Sequence, residues 1–159
     1  MSHARSGYSD FRQQVPDIHD AVLGLSQLAT KAGLEKPLLE LVKIRASQLN
    51  GCAFCVQHHI LAAERLGVSV DKINLLVVWR EAPQFSERER AALAWTEALT
   101  VLGDGVGDDT FEGARAQFSE SELLYLTSAV GVINVWNRFG AAYRWAPPVR
   151  PHSVAVAAS

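Results

Sequence analysis

Residues 37–67 read PLLELVKIRASQLNGCAFCVQHHILAAERLG, and this stretch decides the fold. Leu38, Leu41, Val42, Ile44 and Leu49 recur at the three- and four-residue spacings that gather apolar side chains on one side of an α-helix. Asn50-Gly51 ends that helix, because both residues tolerate turn and left-handed backbone. A second helix is predicted from about Cys52 to Leu66, with Gly67 as its stop. Two helices therefore meet at a tight turn, and the only two cysteines of the chain stand just beyond it.

The same periodicity continues in both directions. Toward the N-terminus it predicts a helix from Pro16 to Lys31 that buries Ile18, Val22, Leu25 and Ala29 and stops at Gly33. Toward the C-terminus, Ser69 caps a short helix carrying Ile73, Leu76 and Val77, and Pro83 forces a turn. Ser86 and Glu89 form a capping box that opens a helix to about Leu102, followed by a Gly/Asp loop from Gly103 to Asp109. A short helix near Thr110 to Gln117 leads to a second capping box, Ser119 with Glu122. It opens the longest helix, which ends near Tyr143 or Arg144 before Pro147 and Pro148. Leu123, Leu126, Val130 and Ile133 make its main stripe, while Leu124, Val132, Val135 and Trp136 add apolar surface elsewhere, so this helix is central or meets another subunit. No useful strand alternation occurs. The fold class is all-α, a compact domain of six to seven helices over residues 16–146, with an N-terminal arm (1–15) and a flexible tail (147–159).

Bulk properties narrow the function. With 159 residues, 48% of them hydrophobic and 20% charged, the chain can bury one real core. Its net charge of -2 and lack of a Lys/Arg cluster exclude a phosphate-backbone footprint, so no nucleic acid partner is expected. No segment nears the roughly 18 continuous apolar residues of a membrane span, and Met1 to Asp10 carry no leader-like apolar region. A cytoplasmic protein is expected. In a reducing compartment a C-x-x-C pair reads as catalytic, redox or metal-binding.

Cys52, Cys55 and His59 lie three, four and seven positions apart, on one side of the predicted helix. His59 is placed to accept a thiol proton directly or through one water, and the unpaired amides and positive dipole end of the first turn favour thiolate further. Such thiols can fall from a pKa of about 8.5 to as low as about 3.5. The pair can close a disulfide, so a sulfenic acid on one sulfur is resolved by the other. The rival readings are a zinc site, for which the sequence offers no fourth ligand, and two inert core cysteines. Haem attachment is excluded because Val56, not histidine, follows Cys55. From the sequence alone Glu40 reads as an exposed partner of Lys43 at i+3. Asn134, Asn137 and Arg138 could reach the thiols or a subunit contact, with satisfied burial the commoner explanation for such an Asn. Trp79, Trp95 and Trp136 read as core or interface anchors. His3, His19 and His152 are assigned to a tail or a helix surface.

Taken together, Glu40-Leu41-Val42-Lys43-Ile44-Arg45-Ala46-Ser47-Gln48-Leu49-Asn50-Gly51-Cys52-Ala53-Phe54-Cys55-Val56-Gln57-His58-His59 resembles the core of the alkylhydroperoxidase D-like, or carboxymuconolactone decarboxylase-like, family. The likeness joins a Glu twelve residues before the first Cys to C-x-x-C-x-x-x-H and continues through Trp79-Arg80-Glu81 and Asn134 to Arg138. It implies an all-α homo-oligomer (dimer, trimer or hexamer) and a thiol peroxidase acting on hydroperoxides. Cys55 is then the peroxidatic thiol, Cys52 the resolving one, and Glu40 and His59 the proton relay. An external lipoyl- or thioredoxin-type dithiol is the implied reductant; no bound cofactor or metal is expected. Phe54 stands where the best-known peroxidase members carry a second relay histidine, a role His58 could partly fill. The alternatives are a decarboxylase-like lyase using His59 or Arg45, and a redox-sensing or zinc-binding helical module.

Overall fold

The computed structural model describes residues 4–150, which form eight α-helices and one 3-10 turn. In chain order these are α1 (Tyr8–Gln14), α2 (Pro16–Lys31), α3 (Lys36–Leu49), α4 (Ala53–Arg65), α5 (Val70–Leu75), the 3-10 turn Leu76–Val78, α6 (Glu87–Thr100), α7 (Asp108–Arg115) and α8 (Glu120–Tyr143). The all-α class stands. The extra helix is α1, inside the segment expected to be an arm. It has seven residues, a single buried apolar side chain in Phe11, and an N-terminus fastened by the Gly7 amide donating to Asp10 (2.8 Å), too little pattern for periodicity to register. Most of the expected flexible tail, residues 151–159, and His3 and His152 lie outside the described residues.

The architecture is built around α3, where Leu38 through Val42, Ile44, Ala46 and Ser47 are all buried. Leu38, Leu39 and Val42 join α2, α6 and α8 in one apolar cluster with Trp95, Leu126 and Val130. Leu41 and Ile44 face a second cluster with Ala63, Leu76, Trp79, Phe85 and Leu93. A helix enclosed on both sides can hold a polar group only against partners from neighbouring helices. Both capping boxes form as expected, each with a Ser hydroxyl accepting an amide and a Glu answering it.

The stripe Leu123, Leu126, Val130 and Ile133 of α8 is buried, while Leu124 and Val135 are exposed at 66% and 40%. On α2 the expected face is rotated. Ile18 and Leu25 stay exposed at 42% and 46%, and the inward row is His19, Val22, Ser26 and Ala29. The cause is packing: α2 lies chiefly against α8 and α1, and α1 draws the His19 side inward.

Asn137 ties this frame together. It is buried, donates to Ser47 Oγ (2.9 Å) and accepts from Asn50 Nδ2 (2.9 Å), which also donates to Asn134 Oδ1 (2.9 Å). Replacing Asn137 by Ala orphans Ser47 and weakens the hold on the α3 terminus. The expected loss is about 2–3 kcal/mol in urea unfolding with an unchanged slope; a loss below about 0.5 kcal/mol would show that the network holds nothing.

Candidate functional site

The turn between α3 and α4 is where sequence becomes chemistry. Gly51 adopts φ +67°, its amide bonds Gln48 O (3.2 Å), and the Cys52 amide bonds Ser47 O (3.0 Å), the Schellman arrangement for ending a helix. The chain then re-enters a helix at once. Cys52 is the N-cap of α4, its sulfur accepting from the Cys55 amide (3.3 Å), and Cys55 sits in the first turn. The two sulfurs are joined as a disulfide with Cα atoms 5.4 Å apart, and both residues are buried. On reduction both thiols would face the unpaired amides and the positive end of α4.

One turn further, His59 points its Nδ1 at Glu40 Oε2 across a 2.7 Å hydrogen bond, while Lys43 Nζ donates to Glu40 Oε1 (2.8 Å). The sequence-level pairing with Lys43 is present, but Glu40 is buried rather than exposed, and the histidine is its second partner. Burial opposes ionisation of Glu40, yet the His59 bond and charge, with Lys43 behind them, outweigh it and bring the carboxyl down from 4.5 to about 2. Burial also holds His59 below its ordinary value, although the Glu40 carboxylate pulls the other way. His59 is therefore neutral at neutral pH. With Nδ1–H engaged by the carboxylate, Nε2 is its free acceptor.

Cys55, His59, Glu40 and Lys43 border one cavity of about 470 Å³, whose walls include Tyr8, Phe54, Ile133, Trp136 and Trp145. His58 is partly exposed and stacks on Phe54 (ring centroids 5.9 Å apart), and partial desolvation of its ring, followed by the neighbouring His59, lowers its pKa. Arg45 lies elsewhere: it pairs with Glu97 (2.7 Å), which also accepts from Trp79 and Arg80. Although burial raises the Glu97 pKa, those three donors hold it low. Asn134 and Asn137 belong to the structural network described above, and Arg138 caps it by donating to Asn134 O (2.9 Å). Among the described residues, no group of three or more His, Cys, Asp or Glu side chains is placed to hold a metal ion.

Three contributors escape sequence reasoning. Gly140 of α8 lies so close to the disulfide that a Cβ there would come within 2.5 Å of Cys52 Sγ and 3.2 Å of Cys55 Sγ. A glycine inside an otherwise regular helix was the available signal. Trp145, just past α8, folds back over the same spot. His19 is 5% exposed rather than on the surface, bonded through Nε2 to Tyr8 Oη (3.1 Å) and through Nδ1 to Asp20 Oδ1 (2.9 Å).

The helical frame thus carries a C-x-x-C disulfide at a helix start and a carboxylate-held histidine on the same cavity. The chain belongs to the carboxymuconolactone decarboxylase family, of which alkylhydroperoxidase D-like proteins are part; residues 16–98 match that family's pattern. The uncharacterized protein YdfG of Bacillus subtilis is 30% identical over 128 residues, 80% of this chain and 87% of YdfG. A solved structure from Agrobacterium tumefaciens, of unknown function but with an AhpD antioxidant-defence role suggested for it, is 40% identical with a TM-score of 0.85. It covers 93% of this chain and the whole of that one. The alkylhydroperoxidase AhpD core of an uncharacterized peroxidase-related protein from Ralstonia eutropha superposes with a TM-score of 0.77 over 87% of this chain and 75% of its own. At 19% identity it shows the shared fold alone.

Two outcomes are expected from this geometry. Gly140→Ala destabilises the protein by about 1–3 kcal/mol through overpacking, whereas Gly131→Ala on the same helix, with nothing near its Cβ, is neutral or stabilises by up to about 1 kcal/mol. Equal effects in thermal unfolding would contradict the close approach. Because the folded pKa of Glu40 lies below its unfolded value, its stabilisation is complete above pH 4.5 and lost as the pH falls toward about 2. Unfolding midpoints of the native sequence should decline through that window and those of Glu40→Gln should decline less; parallel profiles would refute the pairing.

Proposed function

We propose that the protein is a thiol-dependent peroxidase that reduces hydroperoxides through Cys55 and Cys52. The observation that carries this reading is the Glu40–His59 hydrogen bond on the wall of the cavity that Cys55 also borders. In the reduced enzyme, His59 Nε2 takes the proton of the Cys55 thiol. The thiolate attacks the terminal oxygen of ROOH, an S–O bond forms, the O–O bond breaks, and the alkoxide leaves with a proton returned by His59. Cys52 then attacks the sulfur of the Cys55 sulfenic acid, forming the disulfide and releasing water. An external dithiol of lipoyl or thioredoxin type restores both thiols by exchange and is itself oxidised.

Phe54 holds no proton, so His59 carries the proton traffic at the sulfur, and His58 stands in reserve across the Phe54 ring. The apolar cavity favours an organic hydroperoxide over hydrogen peroxide. The same reading makes the protein a cytoplasmic homo-oligomer (dimer, trimer or hexamer). The exposed Ile18, Leu25 and Leu28 on α2 and Leu124 and Val135 on α8 support assembly. No described helix is long and apolar enough to cross a membrane.

Cys55→Ser is expected to lower peroxide turnover to the uncatalysed level, Cys52→Ser to accumulate a sulfenic acid that dimedone labels, and His59→Leu to cost about 10² or more in rate. Undiminished turnover by Cys55→Ser would sink the assignment. Lactone-cleaving activity that survives complete cysteine alkylation would favour the lyase alternative.

A further inference from the structure

The first helix reaches the reactive cavity through one side chain. Tyr8 borders it, with its ring packed on Phe54 (centroids 5.1 Å apart) and, edge-on, on Trp145 (5.2 Å). Its hydroxyl meets Nε2 of His19, a buried imidazole enclosed by the rings of Phe11 and Trp136. The other nitrogen of that imidazole faces the Asp20 carboxylate at 2.9 Å.

This chain of contacts fixes the direction of each hydrogen bond. A carboxylate only accepts, so in the neutral imidazole Nδ1 of His19 carries the proton and Nε2 keeps a lone pair. The Tyr8 O–H therefore donates to Nε2, and the phenolic oxygen can only accept from anything else. In the same wall, the indole N–H of Trp145 is buried out of reach of the cavity and has no hydrogen-bond partner among the described residues. The Tyr8 oxygen, on a ring in contact with Trp145, is thus an acceptor on the cavity wall and complements a group that donates.

We propose that Tyr8 recognises the O–H end of the substrate in the Cys55 cavity, and that His19 is a positioning residue that commits the Tyr8 proton away from the cavity. The inference rests on the reading that the substrate of Cys55 lies in this cavity. It extends that reading to a chemical class: an apolar molecule bearing an O–H donor, as an organic hydroperoxide or its alcohol product does. A molecule of the same shape that can accept but not donate, such as an ether, loses the contact with Tyr8.

The test needs no turnover. The oxidised full-length protein is titrated with 2-phenylpropan-2-ol and with its methyl ether, following the fluorescence of Trp136 and Trp145, both in the cavity wall. The alcohol is expected to bind roughly fivefold more tightly than the ether. Tyr8→Phe, which keeps the ring, should erase that preference. His19→Phe should shrink it by strengthening ether binding, because the freed Tyr8 hydroxyl can then donate; a purely structural role would weaken both ligands alike. Equal affinities in the native sequence, a preference that survives Tyr8→Phe, or no binding of either ligand would overturn the proposal. In the native sequence, absent peroxide turnover with the preference intact refutes the peroxidase reading alone. Turnover without the preference refutes only the role of Tyr8.

Discussion

The 2.7 Å hydrogen bond between Glu40 and His59 is the contact on which the rest of the site depends. Glu40 sits on the most enclosed helix of the molecule, where an unpaired carboxylate would cost several kcal/mol of lost hydration. Lys43 meets one oxygen from the same helix, and His59 meets the other from α4. A hydrogen bond to a charged group contributes about 1.5–3 kcal/mol, so the pair holds α3 and α4 in register while it fixes the tautomer of the histidine. A polar contact required by burial thus also orients the imidazole.

The geometry of the turn adds a second constraint. The Schellman ending of α3 delivers Cys52 to the cap of α4 within one residue, and α8 can close over the resulting disulfide only because Gly140 has no side chain. The sulfurs are therefore enclosed by α8 and Trp145 on one side and open to the cavity at Cys55. Cys55 borders that cavity and Cys52 a separate surface pocket, and the proposed division into attacking and resolving thiol draws on this difference. The Asn50–Asn137–Ser47 network keeps α8 at that distance.

Much of this was legible in the residues from Pro37 to Gly67, because helix periodicity, the Asn50-Gly51 break and the C-x-x-C spacing are local signals. The two capping boxes were legible for the same reason: Ser86 and Ser119 each act within one turn of chain. What was hidden depends on contacts between distant segments. Periodicity placed Ile18 and Leu25 inward, but α1, with only Phe11 to announce it, turns His19 into the core instead. The burial of Glu40 follows from the packing of α3 on several helices, and no local rule separates it from a surface Glu beside Lys43. Gly140 and Trp145 reach the disulfide across about 90 residues of sequence, a distance over which a single chain gives no pairing signal.

The central claim is that the Glu40–His59 pair and the start of α4 together make Cys55 a thiolate at neutral pH. The most direct measurement is the pH dependence of thiolate absorbance at about 240 nm in reduced Cys52→Ser protein, where Cys55 is the only thiol. The account predicts a midpoint well below the ordinary cysteine value of about 8.5, rising toward it when His59 is replaced by Leu. A midpoint near 8.5 that is indifferent to His59 would contradict it.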